Sequence, residues 1–128
     1  MTVRFLSPEW AQAVQEALNT DPGFQNAIGS ADLGLQFNVS DAPDGEVAYY
    51  LAASDGSTEL SLGQLNEPDV TLNQTYGTAS AIAQGDLNAQ TAFMTGKLKV
   101  QGNLAKLMMH QAAIAQWQNA TKDIDVQY

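Results

Sequence analysis

The chain predicts an α+β fold in one domain, a sheet of five strands with helices on one face and water on the other. Three observations carry this. Apolar and polar residues alternate over 33–39, 47–53 and 58–62, three strands joined by turn chemistry. Two further alternating stretches, around Val70 and Leu72 and around Leu98 and Val100, are separated by helical sequence. Apolar stripes at helical spacing stand at both ends of this run.

The first helix opens at Ser7-Pro8-Glu9, with Ser as N-cap, Pro at the first helical position and an acid in the first turn. Trp10, Ala13, Val14, Ala17 and Leu18 then form one stripe, and Asp21-Pro22-Gly23 breaks it. Residues 24–28 read as a further turn or short helix. Leu33, Leu35, Phe37 and Val39 define the first strand, and Asp41-Ala42-Pro43-Asp44-Gly45 is a turn. Val47, Tyr49, Leu51 and Ala53 define the second, and Asp55-Gly56 turns it into the third, with Thr58, Leu60 and Leu62. Val70 and Leu72 mark the fourth. A short helix of small residues then stops at Gly85, an aromatic-bearing connection holds Phe93 and Met94, and the fifth strand holds Leu98 and Val100. Gly102-Asn103 ends that strand and caps a long final helix. On it Leu104, Leu107, Met108, Ile114 and Ala115 share a face, Lys106, His110 and Trp117 fall near the opposite side, and Gln111 projects from the apolar middle.

A chain of 128 residues suits a single domain spanning 1–128, and 45% apolar residues support a core. There is no internal repeat and no run long enough to span a bilayer. The start MTVRFLSPEW lacks the basic and apolar regions of a secretory signal, and the end DVQY lacks a peroxisomal address, so a cytoplasmic setting is expected. With no cysteine, disulfides, thiolate metal sites and a cysteine nucleophile are excluded. A formal charge of −9, from 14 acids against five bases, excludes nucleic acid as a partner and disfavours a stable resting place on an anionic membrane. Transient membrane contact remains compatible with it.

The order of elements over 69–109 resembles the C-terminal half of the sterol carrier protein type-two family of small lipid-binding domains. The residues that carry the resemblance are Asp69-Val70-Thr71-Leu72, then Gly85-Asp86-Leu87, then the run from Ala92 to Asn103, AFMTGKLKVQGN. It covers about a third of the chain closely. The resemblance implies a five-stranded, mostly antiparallel sheet covered by helices, with a hydrophobic tunnel between them for an acyl chain or sterol. Along that tunnel it places Phe37, Tyr49, Leu72, Ile82, Phe93, Met94, Leu104, Leu107 and Met108. Tyr76-Gly77 departs from the polar, acidic helix start more usual in the family, and the segment 118–128 has no clear counterpart there.

No catalytic residue is expected. His110 is the one histidine and sits at a rim angle without a partner in the pattern. Asp41, Asp44, Asp55, Asp69 and Asp86 flank turns or strand starts, where local backbone bonding accounts for them. Ser80, Thr91 and Thr95 have no nucleophile-elbow context, and no phosphate loop is present. No metal site and no cofactor are expected, since one His and turn carboxylates offer too few ligands. The apolar signal is therefore the informative one: Phe93-Met94 sits in a connection between helix and strand, and Met108-Met109 adds two more adaptable side chains on the last helix. Gln111 completes the candidate ligand-binding set, because an amide among apolar residues costs free energy unless paired.

These features point to a non-enzymatic protein that binds and transfers fatty acyl chains, acyl-CoA, phospholipid or sterol-like molecules. Two alternatives stand beside it. One is an accessory module that presents a lipid or prenylated substrate to a partner enzyme. The other is a filled-core protein that dimerises and binds no lipid.

Overall fold

Strand and helix formation follow the sequence pattern closely, and the computed structural model, which describes residues 2–43 and 45–128, assembles them around one sheet. Asp44, read above as a turn residue, lies outside the described residues. A two-residue strand β1 (Val3–Arg4) leads into α1 (Pro8–Thr20). Ser7 caps α1 by accepting the Trp10 N–H at 3.1 Å, with Pro8 pre-set for the first turn. Asp21 ends α1 and caps α2 (Pro22–Ile28), accepting the Phe24 N–H at 2.7 Å.

The sheet strands are β2 (Leu33–Ala42), β3 (Gly45–Ser54), β4 (Ser57–Leu62) and β5 (Val70–Thr75). After α3 (Tyr76–Ala83) and α4 (Ala89–Met94) comes β6 (Leu98–Gly102). The order across the sheet is β4-β3-β2-β5-β6, and only β2 with β5 runs parallel. The expected five-stranded, mostly antiparallel sheet is therefore present.

Period-two alternation sends Leu33, Leu35, Phe37 and Val39 of β2 into the interior, opposite Ala53, Leu51, Tyr49 and Val47 of β3. Val70 and Leu72 continue the same face on β5. Under β4, β3 and β2 this face is closed by α1 and α2: Val14, Leu18, Phe24, Leu35, Leu51 and Leu60 are all almost wholly buried. Each such side chain contributes on the order of 1.5–3 kcal/mol of burial free energy. Side chains of α1 also pair with the backbone of the edge strand β4. Asn19 accepts the Thr58 N–H at 2.9 Å and donates to the Thr58 carbonyl at 2.8 Å, and Gln15 accepts the Leu60 N–H at 3.0 Å. This covers an edge that would otherwise offer free pairing groups.

The outer face is less bare than the alternation predicts. Gln36 points outward yet is buried, because the loop 63–69 folds over it. Gln36 accepts the Leu65 N–H at 2.6 Å and donates to the Gly63 carbonyl at 3.1 Å, so its amide is satisfied.

The long final helix is instead two, α5 (Leu104–Met109) and α6 (Gln111–Thr121), broken at His110. The His110 N–H bonds three residues back to Leu107, a tightened last turn that resets the helical phase. As a result Ala113, Trp117 and Ala120 face the interior, and Trp117, expected near the solvent side, packs into the core. The segment after α6 neither plugs the interior nor hangs free. Its strand β7 (Val126–Gln127) pairs in parallel with β1, and Tyr128 packs on Phe5 with ring centroids 4.9 Å apart.

Candidate functional site

Register brings three of the sequence-selected residues into one line. Tyr49, Phe37 and Leu72 are direct neighbours across β3, β2 and β5, and Leu62 and Val100 extend the row to both edges. An unbroken apolar row thus crosses the inner face of all five strands.

The two ends of this row are covered differently. At the β3–β2 end, Phe37 stacks on Tyr49 with centroids 4.7 Å apart and planes 2° from parallel. Trp10 meets Tyr49 edge-on at 5.2 Å, and Trp117 meets Phe37 edge-on at 5.5 Å. These four rings fill the space between sheet and helices. Burial holds the Tyr49 phenol far above its ordinary ionisation range, so it stays neutral. At the β5–β6 end the cover is thin. Val100, Ile82, Leu87 and Leu107 are only half-buried against the core, and no residue of α5 is fully buried.

Of the sequence-selected residues, Phe37, Tyr49 and Leu72 are buried in the row, and Ile82 and Leu107 pack partly against it. The others lie further out: Phe93 is 46% exposed, Met94 77%, Leu104 44% and Met108 61%. Gln111 is exposed as well, where the broken helix turns it away from the interior, and its amide lies 3.3 Å from the Met108 sulfur.

The amide with a buried oxygen that lacks a partner among the described residues is a different one. Gln74 follows Leu72 on the inner face of β5, opposite Leu98 of β6. Among the described residues no group hydrogen-bonds its buried Oε1. Gln74 lines an open groove of about 560 Å³ together with Thr75, Gly77, Thr78, Ala81 and Leu87, where α3 leaves the end of β5. The alternation of β5 places Gln74 inward in the sequence, but nothing in the sequence shows that it lacks a partner.

Asp69 ties the thinly covered end together. Its carboxylate accepts the Gly34 N–H at 2.8 Å and the Lys106 ammonium at 3.1 Å, and its carbonyl accepts the Asn103 N–H at 2.8 Å. Partial desolvation pushes the Asp69 carboxyl upward, but the Gly34 N–H and the Lys106 charge outweigh it and hold it below the usual range. Gly102, at φ +111°, lets the chain pass so close that an added Cβ would stand 2.5 Å from the Asp69 carbonyl oxygen. The two segments that carry the family resemblance at either end, 69–72 and 92–103, are therefore in direct contact. Among the described residues there is no cluster of three His, Cys, Asp or Glu that would hold a metal ion, and no helix is long and apolar enough to cross a membrane.

The fold that brings these residues together is shared with known proteins. The profile of the SCP-2 sterol transfer family matches residues 11–115. The chain belongs to this family, one of lipid-binding and lipid-transfer domains. Sterol carrier protein 2 of Gallus gallus is 30% identical over 76 residues, which make up 59% of this chain and 14% of the chicken protein. The chain thus matches a small part of that curated relative. A crystal structure of sterol carrier protein 2 superimposes with a TM-score of 0.79 at 22% identity, covering 94% of this chain and 99% of the other. The ubiquinone synthesis protein UbiJ-SCP2 superimposes with a TM-score of 0.64 at 16% identity, covering 90% of each chain. At these identities the structural matches establish the shared fold.

Proposed function

We propose that this chain holds the apolar part of a lipid, without making or breaking bonds, between β5–β6 and the helices α3, α5 and α6, and carries it between membranes. The observation that carries this reading is the uneven closure of the interior. Under β3 and β2 large side chains and the four rings fill the interior, whereas beyond Leu72 the row meets half-buried Val100, Ile82, Leu87 and Leu107 and a helix that buries none of its own.

In this reading Leu72, Val100, Ile82 and Leu107 line the tail site, and the Phe37–Tyr49 stack forms its closed end. Phe93, Met94, Leu104 and Met108 fold over the tail when it enters, and thioethers suit that task because they re-pack around chains of different shape. Helix α5 is the gate. It is six residues long, it is anchored by Asn103 and Lys106 rather than by buried side chains, and a hinge at His110 separates it from α6. Gln111 at that hinge meets the head group.

The energetics suit a carrier. A chain of about sixteen carbons gains at most roughly 12 kcal/mol at about 0.8 kcal/mol per methylene. Association and ordering costs remove several kcal/mol, leaving affinities in the micromolar to nanomolar range. The gain is non-directional, so tail length governs affinity more than head-group chemistry. The ligand class is accordingly broad: fatty acyl chains, acyl-CoA, phospholipid or sterol-like molecules.

The likeness in fold to a ubiquinone synthesis protein favours a second reading, an accessory module that presents a lipid or prenylated substrate to a partner enzyme. Transfer assays separate the two. A self-sufficient carrier moves a fluorescent fatty acid between vesicles alone, and an accessory module does so only with its partner. The reading as a whole is tested by titrating the purified protein with a fluorescent fatty acid in water. A saturable emission change, displaced by unlabelled lipids in order of tail length, is the expected result; no change at micromolar protein would overturn it.

A further inference from the structure

The charge of this protein is unevenly distributed along the chain. Residues 87–122 contain four lysines and no acid, while the remaining 92 residues carry all 14 acids and a single arginine. A stretch of formal charge +4 is thus set into a protein of −9. That stretch comprises α4, the edge strand β6, α5 and α6, and it holds most of the large apolar side chains that stand open to solvent: Phe93, Met94, Leu104, Met108 and Met109. The first two precede β6 and the last three follow it, so exposed apolar groups flank both ends of one sheet edge.

We propose that the α4–β6–α5 edge is the surface by which the protein docks on a bilayer rich in anionic lipid, an inference that rests on the lipid-carrier reading above. Lys97 and Lys99 are exposed on β6, and among the described residues neither forms an ion pair. Lys106 neutralises Asp69, among the described residues the one acid that an ion pair brings to this edge. Each lysine near an anionic surface adds electrostatic attraction, and methionine, leucine and phenylalanine side chains insert at the headgroup boundary. Neither part suffices alone: a few lysines bind weakly, and a handful of apolar side chains are marginal. Together they give the brief, reversible contact a carrier requires. The opposite side of the molecule is unsuited to this contact, since α1 presents Glu9 and Glu16 and no base. The acids outside residues 87–122 then favour the orientation in which this edge meets the bilayer. Docking here also places the gate helix α5 against the membrane, where its exposed apolar side chains gain burial by moving away from the protein.

The test is co-sedimentation of the intact protein with vesicles of phosphatidylcholine alone and of phosphatidylcholine mixed with phosphatidylglycerol. Binding to the mixed vesicles at low salt, lost at high salt, is expected. The double variant K97E/K99E should lower that partitioning about tenfold or more, and Met109→Gln should lower it by a smaller factor. The K97E/K99E variant should bind a fluorescent fatty acid in water as the parent does. Equal partitioning to the two vesicle types, no partitioning at low salt, or undiminished binding by K97E/K99E would each overturn the proposal. So would a stable dimer, shown by its mass in solution, whose interface covers Met94 and Met109. Loss of fatty-acid binding by the unmodified protein would instead count against the carrier reading itself, and the two failures are read separately.

Discussion

The Lys106 ammonium lies 3.1 Å from the Asp69 carboxylate, joining the helix that buries none of its side chains to the residue preceding β5, which runs parallel to the central strand β2. The pair is partly exposed, its side chains 28% and 32% accessible, so its contribution to global stability is small, about 1 kcal/mol or less. Its effect is local. Lys106→Ala should leave the urea midpoint nearly unchanged while amide exchange speeds up in residues 103–110 relative to the rest of the chain. Equal protection of α5 in both proteins would show that the ion pair does not hold the gate.

The same carboxylate gives a pH dependence with a definite sign. Asp69 is held below its ordinary range in the folded state, so it adds stability at pH values above its unfolded-state pKa of about 3.9. That stability is lost as the pH falls through the lower, folded value. Acidification below about pH 4 should therefore loosen α5, and Asp69→Asn should flatten this part of the stability–pH curve. Thermal melts of both proteins between neutral and acid pH supply the comparison.

Gly102 has no substitute at its position. An alanine there meets two penalties, a positive φ of +111° and a Cβ 2.5 Å from backbone. Gly102→Ala should cost about 1–3 kcal/mol or more, visible as a lower denaturant midpoint. Gly85→Ala, at φ +82° with open space around it, should cost less.

The two glutamines are read by different measurements. Gln111→Leu alters an exposed amide and should leave folding intact while shifting ligand preference toward less polar head groups in a displacement assay. Gln74→Leu removes a buried oxygen that lacks a protein partner and should leave stability unchanged or raised by up to about 1 kcal/mol. A marked loss of stability in Gln74→Leu would mean that its amide is satisfied in solution.

Much of this architecture is legible in the sequence because alternation and capping are local signals. Ser7-Pro8-Glu9 and Asp21 mark helix starts by bonds spanning three residues, and Leu33, Leu35, Phe37 and Val39 can share a face only as a strand. The row Tyr49–Phe37–Leu72 follows from those strands once their register is set. What depends on long-range contact is not legible. The break at His110 comes from a single three-residue turn, and it reverses the expected positions of Trp117, which enters the core, and Gln111, which leaves it. The pairing of β1 with β7 joins strands of two residues each, too short to carry a pattern. The site residues follow the same division. Those on strands lie where alternation puts them, whereas Phe93, Met94, Leu104 and Met108 sit on short helices whose exposure depends on packing that the periodicity does not encode.

The most direct test of lipid carriage is the mass of the gently purified protein measured under non-denaturing conditions. A population heavier than the polypeptide by one lipid molecule is expected, with the added mass released on collisional activation and its identity giving the preferred class. A mass equal to the polypeptide alone, unchanged after incubation with mixed fatty acids, phospholipids and sterols, would contradict it and leave the ring-filled interior as a purely structural core.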